Sequence, residues 1–426
     1  MVVFDMKMND NEGGVNDVIN EKVMLVSDCC LSHMNGVLRK QNELKMSFDR
    51  LLGVKCLNVT SSDFDWGISA PYWREVRLVL PMPGNYFKLS RMIENFDPDH
   101  LIFMTEGPLG VMGAIHCKIV GRQYTTMCCT RFDLYTAQKF GMIVGWLCKK
   151  WLQVYHSFSS LCITPSPSMA EVLRRDFKFS NVVSVLNGCN TKCFSSRGTL
   201  MPEMSSMKRP IWLYVGRISV EKNVEKLLEL TTSENLPGTV VLVGDGPAMD
   251  DLHRRYATNN KTPVYFLGHR SGTALEEAYR TGDIFVFPSL TDTFGQVMVE
   301  AMASGLPVAG FKDAVGVSDI VIDGQTGSLR EDLLSACMDC LDNIDNYSRN
   351  SIERAQQFSW DKAAKEIMHF RQLARKRKII EYKTAHIIKT LHSTSIVLFA
   401  FGLIYFFIFA AYNIFYVLGL CGSTSK

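Results

Sequence analysis

Short apolar runs alternate along this chain with longer one-faced stretches, and the alternation is laid out twice. In the first half Val23–Ser27, Val54–Val59, Val76–Pro81, His100–Thr105, Tyr124–Cys128, Leu161–Thr164 and Val182–Leu186 read as buried strands. Between them Gly36–Leu52, Lys88–Phe96, Leu109–Val120, Tyr135–Phe158 and Ser168–Phe177 carry helical patterning. Residues 195–209 (SSRGTLMPEMSSMKR) are small, polar and broken by Gly and Pro, which marks a linker. The pattern then restarts, with strands predicted at Ile211–Val215, Thr239–Val243, Val264–Leu267 and Asp283–Phe287. Helices are predicted at Asn223–Leu230, Ala248–Tyr256 and Ala274–Arg280. Strands that alternate with helices pair in parallel, because each crossover returns the chain to the same edge. The expected fold is therefore α/β: two doubly wound, Rossmann-like domains, 21–194 and 210–350, facing a cleft.

The two ends differ from this body. Residues 1–20 are polar and acidic, without the apolar centre of a signal sequence, and read as a disordered leader. Trp360–Lys376 is amphipathic, so 351–392 reads as a crossing helix and basic stalk. Ser393–Ser425 holds no charged residue, and about 20 apolar residues suffice to span a bilayer, so 393–420 is expected to be a transmembrane helix. Arg371, Arg375, Lys376, Arg377, Lys378, Lys383 and Lys389 precede it and only Lys426 follows. That bias places the body on the cytoplasmic side and the C-terminus on the far side of a single pass. Gly402 and Asn413 leave a re-entrant or interfacial hairpin as the alternative.

Composition narrows the function classes. A hydrophobic content of 47% excludes wholesale disorder, and a formal net charge of +3 without basic residues interleaved with aromatics argues against nucleic acid. The 13 cysteines are odd in number and scattered, as reduced thiols are. Cys337 and Cys340 form a lone CxxC, and Cys29–Cys30 and Cys128–Cys129 are adjacent pairs. None repeats with metal spacing, so they read as core thiols.

The richest stretch is Phe287–Val308, FPSLTDTFGQVMVEAMASGLPV. Thr293-x-x-Gln296 has the form of a capping box, predicting a helix from Thr293, and Gly305 with Pro307 stops it. The enclosed helix is apolar almost all round, except for Glu300. A buried carboxylate needs a partner. Asp292 lies at the helix mouth, and eight residues at about 1.5 Å rise separate the two by roughly 12 Å, near the reach of a sugar nucleotide. Exposed helix N–H groups between them suit a diphosphate. Equally, Glu300 could pair with a buried Lys or Arg while Asp292 answers the helix dipole. Other glycine turns fall at predicted strand ends: Gly216-Arg217 with Lys222 following, Asp245-Gly246, and Asn35-Gly36 opening the first helix.

Taken together, YVGRISVEKN, VLVGDGP, FPSLTDTFGQVMVEAMASGLPV, TEGPLG and NGVLR resemble the retaining glycosyltransferases of family 4 with the GT-B fold, over residues 22–370. The likeness is nearest to sulfoquinovosyl-diacylglycerol synthases and GDP-mannose-dependent α-mannosyltransferases. It implies a nucleotide-sugar donor, UDP- or GDP-linked, and no metal or other cofactor. Arg217 and Lys222 would neutralise the diphosphate and Asp292 would stand near the donor sugar. Glu300 would hold the ribose, and Thr293, Phe294 and Gly295 would offer backbone N–H groups. Gly36, Gly216, Asp245 and Gly246 would line the donor. Cys129 occupies the place of a family His beside the transferred sugar. His33, His116 and His156 read as surface or core residues, and Asp63-Phe64-Asp65 as a surface loop. With the apolar C-terminus, these features predict hexose transfer to a membrane lipid. The alternatives are a non-catalytic binding subunit, or transfer to a protein or soluble glycan.

Overall fold

The computed structural model describes residues 20–31, 36–51, 53–69, 77–233, 236–258 and 261–382. The first half runs β1 (Glu21–Val26), α1 (Gly36–Arg50), β2 (Val54–Val59), β3 (Gly67–Ser69), β4 (Arg77–Val79), α2 (Pro83–Phe96), β5 (His100–Phe103) and α3 (Pro108–Ile119). It continues with β6 (Thr125–Met127), α4 (Phe132–Phe140), α5 (Met142–Ser157), β7 (Leu161–Thr164), α6 (Pro167–Phe177) and β8 (Val182–Ser184). Six of these strands form a parallel sheet in the order β2-β1-β5-β6-β7-β8. β3 and β4 lie outside it as an antiparallel pair, Gly67 opposite Val79, so the run predicted at Val76–Pro81 is not a strand of the parallel sheet.

The second half runs α7 (Pro202–Ser205), β9 (Ile211–Val215), α8 (Glu225–Ser233), β10 (Thr239–Val243), α9 (Met249–Tyr256), β11 (Val264–Gly268), α10 (Gly272–Thr281), β12 (Ile284–Phe287) and α11 (Gln296–Ala303). It ends with β13 (Val308–Phe311), α12 (Val317–Ile320), β14 (Gly327–Arg330), α13 (Leu333–Asp342), α14 (Ile344–Ala355) and α15 (Trp360–Tyr382). Its parallel sheet has the order β11-β10-β9-β12-β13-β14. Strand order reverses at β1/β5 in the first sheet and at β9/β12 in the second, and ligands of such sheets bind outside strand C-termini at those points.

Local chemistry accounts for the boundaries. Ser166 caps α6 by accepting from Met169 N at 3.2 Å, with Pro167 preset for the first turn, and Asp332 caps α13 at Ser335 N. Each sheet is coated on both faces by apolar side chains that are fully buried, such as Phe103, Trp212 and Phe285. Burying each large side chain contributes about 2–3 kcal/mol. The CxxC cysteines Cys337 and Cys340 sit buried on α13 as free thiols packed beneath the second sheet.

Three expectations need correction. The stretch Tyr135–Phe158 is not one helix: it breaks at Gly141, whose φ of 92° a side chain would strain, into α4 and α5. The segment 195–209 is not a free linker. Met201 and Met204 are buried in the second core, α7 forms within it, and Arg280 holds the carbonyls of Cys193, Ser195 and Thr199. The transmembrane segment predicted at 393–420 and residues 1–19 of the leader lie outside the described residues. Among the described residues no helix is long and apolar enough to cross a membrane.

α15 leaves the second half and returns to the first. Trp360, Ala363, Ala364, Ile367 and Met368 pack with Leu44 and Phe48 of α1, Asp361 pairs with Arg50, and buried Arg371 donates to Ser160 Oγ.

Candidate donor site

The predicted site residues come from the reversal points of both sheets. At the end of β9, Gly216 has a φ of 154°, and its N–H donates to Val243 O at 3.0 Å. A Cβ on Gly244 would meet Gly216 O at 1.8 Å, and one on Gly246 would meet Ile218 O at 2.3 Å. These glycines let two strand-end loops lie backbone against backbone. The structure thus explains Gly246 by chain-to-chain approach, where the sequence suggests approach to a ligand, while a Cβ on Gly216 would meet the Tyr214 hydroxyl at 2.9 Å. Asp245 is exposed, and its Oδ1 accepts from Gly246 N at 2.7 Å, closing its own turn.

Beyond β9 a 3₁₀ turn, Val220–Lys222, ends at Asn223, which adopts φ 55° and donates through Nδ2 to Pro288 O at 3.0 Å. That bond ties the β9 loop to the β12 loop. It sets Lys222 Nζ directly on Asp292, a pair whose side chains are about one-quarter or less exposed. Burial pulls the Lys222 pKa down, but Asp292, Tyr135 and Glu221 together outweigh it, so the ammonium stays charged. Arg217 is half-buried, its carbonyl accepts from Tyr214 OH at 2.8 Å, and it shares with Lys222 and Asp292 an electrostatic influence on Tyr135.

The approach to α11 differs from the capping box expected. The helix starts at Gln296, and Gly295, at φ 80°, stands at the N-cap. Thr293 is engaged by the other domain instead: its Oγ1 donates to Cys129 O at 2.5 Å, and its carbonyl accepts from Ser166 Oγ at 2.8 Å. Gln296 Nε2 donates across the same boundary to Gly188 O at 2.8 Å. Phe294 is buried, its ring 6.1 Å from that of Phe358. Gly295 leaves room that a Cβ would take from Met298 Cε at 2.5 Å.

Glu300 is 1% exposed. Its Oε1 lies 2.7 Å from Arg39 Nη1, and its Oε2 accepts from Tyr279 OH at 3.0 Å. Burial pushes the carboxyl pKa up, and Arg39 and Tyr279 pull it back. Arg39 also lies over the Phe194 ring, 5.2 Å from its centroid. One turn before Arg39, Gly36 is exposed at the start of α1 with no atom within 4 Å of where a Cβ would be. α1 therefore places Gly36 one turn before the residue that meets Glu300 across the domain boundary.

Several groups at this boundary escaped the sequence. Lys40 is 7% exposed and donates from Nζ to Cys129 Sγ at 3.6 Å. Burial raises the Cys129 thiol pKa, against the pull of Lys40. Adjacent cations in NGVLRK were the available signal. Asp28, at the end of β1, accepts from Thr105 Oγ1 at 2.6 Å and from Leu109 N at 2.9 Å, capping α3, and burial pushes its pKa up to about 6. His156 is a buried core residue, with Nδ1 2.9 Å from Thr126 Oγ1 and Nε2 3.1 Å from Glu106 Oε1. With Cys128 these two offer ligand atoms within 4.8 Å of one another, a mixed donor set that could hold a metal ion. Asp63 closes a 3₁₀ turn by accepting from Thr60 N at 2.7 Å, beside buried Phe64, a structural role.

The geometry is that of two facing sheets with their reversal points across one cleft, and known proteins match it. Residues 59–192 match the family described as Glycosyltransferase Family 4, and residues 201–359 match Glycosyl transferases group 1. A GDP-mannose-dependent alpha-mannosyltransferase of Mycolicibacterium smegmatis is 31% identical over 281 residues, 65% of this chain and 70% of that protein. The chain belongs to the family 4, group 1 glycosyltransferases. Another relative, sulfoquinovosyl transferase SQD2 of Arabidopsis thaliana, is 29% identical over 269 residues, 60% of this chain but only half of its own length. The corresponding mannosyltransferase of Mycobacterium tuberculosis is 30% identical over 59% of this chain and 65% of its own. Among solved structures, sucrose-phosphate synthase from Thermosynechococcus elongatus superposes with a TM-score of 0.64 at 18% identity, covering 84% of this chain and 100% of that one. Anabaena HepE in complex with UDP-glucose gives 0.59 at 17%, covering 82% and 98%. These two share this fold of two α/β domains.

Proposed function

We propose that this chain is a retaining, metal-independent hexosyltransferase that moves sugar from a UDP- or GDP-linked donor to a membrane lipid at a cytoplasmic face. The observation that carries the reading is the Lys222–Asp292 pair, which with Arg217 acts on Tyr135, built at the β9/β12 reversal point where an α/β sheet receives its ligand. Glu300 lies on the helix that follows, at the domain boundary, suited to ribose hydroxyls. In the reaction the acceptor oxygen forms a bond to the anomeric carbon while the bond from that carbon to the diphosphate oxygen breaks. The acceptor proton passes to the departing diphosphate, which Arg217 and Lys222 stabilise as preorganised charges. Asp292 holds Lys222 in place and contacts the sugar.

A lipid acceptor is supported by the apolar run Ile396–Leu420 and by relatives that include a sulfoquinovosyl transferase. The test is a donor panel, UDP- and GDP-hexoses with labelled sugar, given to the full chain with a membrane lipid extract. Label entering the organic phase with one donor is expected. Label confined to a soluble glycan would move the acceptor, and none with any donor would remove the enzymatic reading.

Cys129 favours a second reading, a nucleotide-sugar-binding subunit without turnover, because a thiol lacks the paired nitrogens of an imidazole. Assaying Cys129→His beside the natural chain separates the two. An inactive natural chain rescued by His supports the subunit, and an active natural chain ends that reading.

A further inference from the structure

The tip of the α4–α5 hairpin carries an apolar face with no role in the fold. Met142 is 86% exposed, Ile143 77%, Trp146 57% and Leu147 38%. Their spacing puts them on one side of α5, whose other side is buried through Gly145, Cys148, Trp151, Leu152 and Tyr155. The two helices of the hairpin pack closely: a Cβ on Gly145 would meet Ala137 Cα and Asp133 O, both at 2.8 Å. Exposed apolar residues gathered in one patch mark an interaction site, whereas scattered ones do not.

Charge and position indicate what the patch meets. Lys139 precedes it, Lys149 and Lys150 follow it, and Lys150 Nζ lies 5.8 Å from the centre of the Trp146 ring. The hairpin's carboxylate, Asp133, is buried and paired with Arg131. An apolar ridge with Trp at its edge and lysines around it is the pattern of an interfacial helix on an anionic bilayer. The ridge also stands at the mouth of the donor site, since Tyr135 and Lys139 on α4 lie within the electrostatic reach of Arg217 and Glu221, and Tyr135 within that of Lys222 and Asp292.

We infer that Met142, Ile143, Trp146 and Leu147 dip into the surface of an anionic bilayer and hold the donor-site mouth against it. This deepens the lipid-acceptor reading and rests on it: an acceptor whose tails stay in the bilayer needs its headgroup to reach Asp292 without leaving the membrane. The ridge supplies the docking geometry for that.

The test uses the full chain reconstituted in vesicles of phosphatidylcholine and phosphatidylglycerol whose acyl chains carry bromine, which quenches tryptophan on contact. The natural chain and Trp146→Phe are compared, each checked by its melting temperature. The expected result is that emission contributed by Trp146 is lost in brominated vesicles and kept in unbrominated ones. That loss should disappear in the Met142→Glu/Ile143→Glu variant and shrink when phosphatidylglycerol is omitted. Equal quenching of the natural chain and Trp146→Phe would overturn the inference. So would Trp146 shielded in a dimer or by a protein partner in detergent, or quenching indifferent to the anionic lipid. Sugar transfer is not the readout, so an active enzyme with Trp146 in water refutes only this inference, and a docked but inactive chain refutes only the proposed reaction.

Discussion

Arg39 on the first helix of one domain and Glu300 on the donor-side helix of the other form an ion pair of 2.7 Å, with the carboxylate 1% exposed. Removing one member of a buried pair strands the other, at a cost of about 3–5 kcal/mol when both are enclosed. Arg39 is about one-third exposed, so Arg39→Met is expected to lose about 2 kcal/mol in urea unfolding, the lower figure reflecting solvent screening. Adding Glu300→Gln should restore most of it. A single variant as stable as the natural chain would mean that the pair does not hold the domains together.

Lys222 and Asp292 predict a different signature, in rate rather than stability. Lys222→Met should lower sugar transfer by roughly 100- to 1,000-fold, the range seen when one preorganised charge is removed from a transition state. Asp292→Asn should do the same, with melting temperatures close to that of the natural chain. Natural-like turnover in either variant would take that residue out of the site.

Thr293 and Ser166 bridge the cleft through uncharged hydrogen bonds of 2.5 and 2.8 Å, to Cys129 O and Thr293 O. Each contributes about 1 kcal/mol. Replacing both, Thr293→Val with Ser166→Ala, should shift the nucleotide-free protein toward an open arrangement, read as a larger radius of gyration by small-angle X-ray scattering. An unchanged radius would show that other boundary contacts suffice.

Asp28 gives a pH dependence with a definite sign. Its folded pKa of about 6 lies above the ordinary 3.8 because burial favours the neutral acid. The fold therefore binds the proton more tightly than the unfolded chain does. The contribution is complete below pH 3.8 and is lost as pH rises through about 6, a change of about 3 kcal/mol. Asp28→Asn should flatten the stability profile between pH 4 and 7; an unaltered slope would assign the dependence to another group.

The strands were legible in the sequence because buried parallel strands are short apolar runs with sharp ends, and β2, β7, β9 and β10 start and stop where the pattern does. What stayed hidden depends on partners distant in sequence. Thr293 has the spacing of a capping residue, yet its hydroxyl serves Cys129 O, 164 residues away, and no local pattern records that contact. Glu300 announced itself as a charge in an apolar helix, but the sequence left its partner open, and Arg39 lies in a helix whose own periodicity gives no hint of it. Gly216 and Gly246 were legible as special positions, though the reasons, a φ of 154° at Gly216 and close backbone packing at Gly246, were not.

The return of α15 to the first domain has a mechanical meaning. The whole second sheet hangs between β8 and α15 as an inserted loop, both of whose ends are fastened to the first domain. A pull applied beyond Tyr382, as any attachment at the C-terminus would apply, runs through the Trp360 packing, the Asp361–Arg50 pair and the Arg371–Ser160 bond into the first sheet. The donor domain lies off that line of tension, so its hold on its partner rests on the Arg39–Glu300 pair and the Thr293 bonds and not on the tether.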